Sequence, residues 1–377
     1  MSVTRSIAAA LLVLAIVAPG RQIPSQSADE PGNRVRADQW HLRYLKSDVA
    51  NSIAQGEGVL VAVPDTGVAP HPDLRNNLLP GTTTVQGATG DGRDDKNSHG
   101  TGMAGLIAAH GQSDGTGAVG IAPRAKILPI QSSGAENTGL PDDLAAGIDF
   151  AIAKNATVIS ISSSGASSPE LVRSIRAALL ADIVVVAAAG NRPEDGYVGY
   201  PASAAGVIAV GGVDRSGEHA PVSVSGPEID VVAPAVDIYS TSYDGKYSKG
   251  TGTSSATAIV AGAAALIRSK YPNLPAQEVA HRLTATAVDK GPPGRDDQYG
   301  YGVIDLVAAL TADVPPLGFE SSDVTPPASA EAAPDKGDSA GTVRGLATLG
   351  VLVAAGGGYL FWRRRRRADD PPPRVSR

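Results

Sequence analysis

Four short stretches carry side chains suited to acyl transfer, and each lies beside glycines. Ser254 stands in Gly250-Thr251-Gly252-Thr253-Ser254-Ser255-Ala256-Thr257-Ala258, where a small-residue loop runs into an alanine-rich helical pattern ending near Tyr271. A hydroxyl at such a junction meets backbone N–H groups that no carbonyl satisfies, at the positive end of the helix dipole. That setting suits a nucleophile whose reaction develops an oxyanion, although an ordinary serine N-cap fits the stretch alone. Asp65 directly follows an apolar run in Val61-Ala62-Val63-Pro64-Asp65-Thr66-Gly67-Val68. It is either a rigidly held carboxylate or a turn aspartate. His99 opens a helical pattern in Asn97-Ser98-His99-Gly100-Thr101-Gly102-Met103-Ala104-Gly105. The three glycines each cost a helix about 1 kcal/mol against alanine, so their presence predicts close approach of other backbone. Asn191 follows a further apolar run in Ala187-Ala188-Ala189-Gly190-Asn191 and is either an oxyanion donor or a turn residue.

Each signal is ambiguous alone. Together they supply what serine chemistry requires. A serine hydroxyl is a poor nucleophile until a histidine takes its proton, and the histidine needs a carboxylate to fix its tautomer and stabilise the imidazolium.

The frame that must position them is legible as alternation. Apolar runs at 59–63, 126–130, 156–161, 183–189, 207–210 and 229–232 have no in/out pattern, which marks strands buried on both faces of a parallel sheet. Helical patterns at 99–110, 141–154, 169–181, 254–271, 275–287 and 303–310 fit between and after them. The result is an α/β doubly wound pattern, in which sites collect at the carboxyl ends of strands.

The 377 residues carry a net charge of −6, which offers no reason to propose a nucleic-acid partner. The chain has no cysteine, excluding disulfides, thiolate metal sites and a cysteine nucleophile, and its six scattered histidines speak against zinc. Asp91, Asp94, Asp95 and Asn97 crowd one loop with oxygen atoms; calcium is one reading and a solvated acidic loop the other. No metal or other cofactor is expected in the chemistry.

The ends suggest export and anchoring. Arg5 followed by the apolar run 7–18 reads as a secretory signal within residues 1–28. An N-terminal extension follows at 29–55, then a catalytic domain at 56–312 and a Pro/Ala-rich stalk at 313–344. Residues 345–362 are uncharged and just long enough to span a bilayer; they end in Tyr359-Leu360-Phe361-Trp362 and precede the basic tail 363–377, which opens with five arginines. The aromatic belt and the positive-inside bias place that tail in the cytoplasm and the catalytic domain outside.

On its motifs the chain resembles the subtilisin-like serine proteases (peptidase family S8) over roughly 56–310. The stretches around Asp65, His99, Asn191 and Ser254 match that family's aspartate, histidine, oxyanion and serine motifs, in its Asp…His…Ser order. Supporting matches are Gly120-Ile121-Ala122-Pro123, Tyr200-Pro201-Ala202, Val231-Val232-Ala233-Pro234 and Tyr301-Gly302-Val303-Ile304-Asp305. The resemblance implies a three-layer α/β fold around a mainly parallel sheet, to which the apolar stretch 345–362 adds a C-terminal transmembrane helix. It also implies endopeptidase activity on protein or peptide substrates, and substrate binding by Ser162, Ser163, Ser164, Gly165, Ala189 and Gly190. Departures are Pro64 ahead of the aspartate, Ala258 after the nucleophile, and Ser160 and Ser164 where the family often has Asn and Gly. Signal, extension, stalk, span and basic tail together resemble the membrane-anchored mycosins of type VII secretion, although mycosins usually contain cysteine. The remaining readings are a general secreted degradative subtilase and a catalytically silent scaffold of a secretion complex.

Overall fold

The runs without polar alternation become strands of a parallel sheet. The computed structural model describes residues 31–318 apart from 137 and 138. The signal segment, nearly all of the stalk, the apolar stretch 345–362 and the arginine tail lie outside the described residues. Among the described residues no helix is long and apolar enough to cross a membrane.

The extension forms α1 (Pro31–Asp38), α2 (Trp40–Tyr44) and α3 (Ser47–Asn51). The catalytic region continues with β1 (Leu60–Asp65), β2 (Thr82–Thr83), α4 (His99–Ala108), β3 (Lys126–Gln131), α5 (Pro141–Ala153) and β4 (Val158–Ile161). Next come α6 (Pro169–Leu180), β5 (Val184–Ala188), β6 (Ile208–Val213) and β7 (Val231–Pro234). The chain then forms the hairpin β8 (Ile238–Thr241) and β9 (Tyr247–Gly250), followed by α7 (Thr253–Lys270), α8 (Ala276–Ala285) and α9 (Leu306–Thr311).

Seven strands pair in the order β2-β3-β1-β4-β5-β6-β7, and every pairing is parallel. Strand periodicity divides their side chains between two cores. Val184 and Val186 join α4 and α7 in one apolar cluster, while Val185 and Ala187 join α5 and α6 in the other. This is the three-layer α/β arrangement, and it explains why the strand sequences show no alternation.

Three local outcomes differ from the sequence reading. The hairpin β8–β9 was not expected, because its polar and aromatic residues form no apolar run. Val303 is not helical: it bridges Val232 and Val288. The last helix starts at Leu306, after the Asp305 carboxylate accepts from Val307 and Ala308 N–H at 2.9 Å each. The extension docks on the catalytic region and contributes Val35, Trp40, Leu45 and Ala50 to its core. Buried Gln39 grips Val119 through both its backbone groups, at 2.9 and 3.0 Å, and Trp40 Nε1 donates to the Val236 carbonyl at 3.1 Å.

Pro64 lies near the carboxyl end of central β1, beyond the β1–β4 pairing of Val61 and Ala62 with Val158 and Ile159. A residue without an N–H is tolerated at such a strand end.

Candidate active site

The sheet order puts β1 between β3 and β4; the carboxyl ends of β3, β4 and β5 open on one cleft of about 410 Å³, and His99, held by Asp65 at the end of β1, lines it too. Asp65 is the last residue of β1, not the residue after it, and is nearly buried. His99 is the first residue of α4. Its Nδ1 lies 2.7 and 3.0 Å from the two Asp65 carboxylate oxygens. Asp65 Oδ1 also accepts from Thr66 N–H at 2.7 Å, which orients the carboxylate.

Close backbone contact sets the position of His99. A Cβ on Gly100 would lie 2.1 Å from the Gly67 carbonyl, and one on Gly105 2.1 Å from Thr241 Oγ1. Gly100 therefore lets α4 pack directly against the backbone at β1's exit, as the sequence reading expected, while Gly105 makes room for side chains of β8 instead. Gly102 departs from that expectation: its nearest approach would be an ordinary 3.5 Å.

Asp95 organises the loop ahead of α4. Its buried carboxylate accepts from Thr66 Oγ1 (3.0 Å), Asn97 N–H (2.9 Å), Ser98 N–H (3.0 Å) and Thr101 N–H (2.9 Å). Of the other oxygen-rich residues in this loop, Asp91 pairs with Arg93, Asp94 pairs with Lys96, and Asn97 Oδ1 accepts from His99 N–H. The loop's acceptors thus serve its own backbone and cations. Among the described residues no group of three or more His, Cys, Asp or Glu is placed to hold a metal.

The titration of His99 reflects opposing influences. Burial acts most strongly and lowers the imidazole pKa. The charge and hydrogen bond of Asp65, with the charge of Asp95, outweigh it, so the net shift is upward.

Ser254 is the second residue of α7, not its cap; the cap position is held by Gly252, which has no side chain to offer. Ser254 and His99 line the same cleft. The Asn191 amide has a determined orientation, because Thr253 N–H, a donor, meets its Oδ1 at 2.8 Å, and Thr253 Oγ1 lies 3.2 Å from the same oxygen. That leaves Nδ2, the donor end, for the cleft. The arrangement can generate an alkoxide-like serine and hold a negative oxygen beside it.

Ser162, Ser163, Ser164, Gly165 and Gly190 line the cleft with Asn191. Ala189, expected among them, instead faces the core and is fully buried, while Ala188 reaches the cleft. The alternation of a strand end sends neighbours to opposite sides. Ser160 is likewise sealed within β4. The sequence reading missed Ser132 and Ser133, which directly follow β3 and line the cleft; the strand-end rule applied to 126–130 marks that position. It also missed Asp195 and Tyr200, which lie in a loop after β5.

Comparison with known proteins agrees with this geometry. The description of the Subtilase family, Peptidase S8, matches residues 56–302. Subtilisin DY of Bacillus licheniformis is 40% identical over 276 residues, covering 72% of this chain and 97% of its own length. Among solved structures, MycP1 from Mycobacterium smegmatis is 30% identical at a TM-score of 0.67, covering 77% of this chain and 87% of that one. MycP1 from the ESX-1 type VII secretion system is 31% identical at a TM-score of 0.67, with coverage of 73% and 86%. By its fold, the placing of Asp65, His99, Asn191 and Ser254, and these likenesses, the chain belongs to the subtilase family of serine endopeptidases.

Proposed function

We propose that this chain is a membrane-anchored, extracytoplasmic, mycosin-type serine endopeptidase that acts on exported proteins beside a type VII secretion system. The observation that carries its chemistry is the Asp65–His99 pair, at 2.7 Å, opening on the same cleft as Ser254. Asp65 fixes the tautomer in which His99 Nδ1 carries the proton, leaving Nε2 to take the proton of Ser254 Oγ. Ser254 attacks the scissile carbonyl and His99 returns the proton to the leaving amine. The acyl-enzyme is hydrolysed by the same steps with water as nucleophile. Asn191 Nδ2 and the Ser254 backbone N–H hold the oxyanion in both halves. The upward-shifted His99 suits a group that must be cationic while charge develops on that oxygen.

The placement rests on the ends of the sequence and on the likeness to a protease described as part of the ESX-1 system. Arginine is costly at a bilayer centre, by about 2.5–3.5 kcal/mol each, so the five at 363–367 hold their end in the cytoplasm. The stalk at 313–344 reaches about 100 Å if extended and averages nearer 30 Å as a flexible coil. Substrates are then exported or membrane-proximal proteins. Within the described extension, no residue lines the cleft, which favours a structural role over an inhibitory one.

Two measurements test the reading. A fluorophosphonate probe is expected to label the purified chain and not Ser254→Ala; absence of labelling in the folded protein removes the enzyme role in favour of a scaffold. Protease shaving of protoplasts is expected to clip the catalytic domain and spare a tag after Arg377. The reverse pattern overturns the topology.

A further inference from the structure

The cleft that holds the catalytic pair carries one charge that this chemistry does not use. Of the described residues lining it, only His99 and Asp195 have ionisable charged side chains. His99 is committed to Asp65. Asp195 is half-buried and closes the loop after Asn191. Its Oδ2 accepts from Asn191 N–H at 2.7 Å, and its own N–H donates to the Asn191 carbonyl at 2.8 Å. A Cβ on Gly190 would stand 2.8 Å from that same Oδ2, so the carboxylate packs directly on Gly190 just past the end of β5. The 162–165 segment lines the same cleft, and its Gly165 exchanges backbone bonds of 3.0 Å with Tyr200, another lining residue.

The second oxygen, Oδ1, has no hydrogen-bond partner among the described residues and is not sealed from solvent. Asp195 also makes no ion pair with a described cation. Asp195 and Asn191 line the same cleft, so this oxygen is available to the substrate residue whose carbonyl Asn191 holds. The remaining lining offers serine hydroxyls, the Tyr200 ring and the apolar surfaces of Leu140, Pro141, Leu144 and Ala166. A long methylene stem that covers apolar surface and ends in a cation matches that composition. Aspartate and glutamate side chains are opposed by it.

We infer that Asp195 sets the specificity of this protease for a lysine or arginine residue immediately before the cleaved bond. The inference rests on the oxyanion role of Asn191, because that role fixes which substrate residue lies next to Asp195.

The test uses the full chain in detergent and a series of peptides differing only at that residue: Lys, Arg, Leu and Glu. Lys and Arg peptides are expected to exceed Leu in kcat/KM by about tenfold, equivalent to ~1.4 kcal/mol, with Glu poorest. Asp195→Asn keeps an acceptor for Asn191 N–H and removes the charge, so the Lys-to-Leu ratio is expected to fall to near one. Asp195→Glu keeps the charge and is expected to keep a ratio above one. If Asp195 only braces Asn191, Asp195→Asn lowers kcat for every peptide alike and leaves the ratio unchanged, which overturns the inference. Binding of the uncleaved peptides to Ser254→Ala separates this inference from the protease reading. Tighter binding of the Lys peptide supports the charge role even without turnover, and equal binding of Lys and Leu peptides overturns it. Loss of fluorophosphonate labelling bears on the protease reading alone.

Discussion

Two histidines in different regions show how surroundings decide what the same side chain does. His99, at the cleft, and His41, in the extension helix α2, are both largely withdrawn from water. Burial lowers the pKa of each. At His99 the Asp65 carboxylate at 2.7 Å reverses the outcome and the net shift is upward. At His41 no carboxylate is in contact, both ring nitrogens lack a partner among the described residues, and the nearby Arg43 charge adds to burial. The His41 pKa falls to about 3. One ring has an anion beside it that favours its protonated form; the other is held neutral in the core. A buried histidine becomes a base only when an anion is built in beside it.

The sharpest way to break this contrast is to remove the anion. Asp65→Asn is expected to lower kcat by about 10⁴-fold, the loss known for this change in another serine protease, because the amide favours the wrong tautomer. Residual activity should also titrate differently. In the native chain His99 must be neutral to act, so kcat/KM falls as pH drops through a pKa above the ordinary histidine range. In the Asn variant only the lowering influence of burial and the remaining charge of Asp95 act, and the midpoint of that acid limb moves to lower pH. Steady-state kinetics from pH 5 to 9 read both effects. An unmoved limb would detach His99 from it.

Asn191→Ala leaves the Asp65–His99 pair intact and is expected to cost about 10²–10³ in kcat, the size known for a subtilisin oxyanion donor. KM should change little. Full activity in this variant would remove Asn191 from the oxyanion role.

The extension gives the smaller effects, and they concern stability rather than rate. Unfolded His41 binds a proton below its ordinary pKa of 6.5, while the folded residue stays neutral down to about 3. Stability is therefore present at neutral pH and is lost as pH falls across that window, by at most ~1.4 kcal/mol per pH unit for one proton. Comparing urea midpoints of the native chain and His41→Leu at pH 7 and pH 5 isolates this contribution. The variant is expected to lose less on acidification, with kcat at neutral pH within about twofold of native. Equal losses would show that His41 is already protonated or exposed.

The contrast also bears on what was legible beforehand. The strand runs at 126–130, 156–161 and 183–189 were readable because burial on both faces demands apolar residues at every position. Asp65 and Asn191 were readable because each ends an apolar run beside a glycine, and His99 and Ser254 because each opens a helical pattern among glycines. His41 carried no such signal. Its neighbours in Trp40-His41-Leu42-Arg43-Tyr44 look like those of many short helices, and its burial depends on contacts with residues far away in the chain. The hairpin β8–β9 was hidden for a similar reason: Tyr239, Ser240 and Thr241 find their partners only across the turn. Gly102 resembles its neighbours Gly100 and Gly105 in sequence, and only the packing distances separate its role from theirs.

The sequence by itself determined the α/β alternation, the four chemical groups and their order along the chain, since these follow from residue type and local period. The tertiary structure alone decided how those groups are used. It oriented the Asn191 amide through Thr253, gave the Asp95 carboxylate to the α4 backbone, sent Ala188 to the cleft and Ala189 to the core, and set Asp195 against Asn191 in the cleft wall. The partner that orients Asn191 is 62 residues away in the chain, and such a separation is spanned only when the chain is folded.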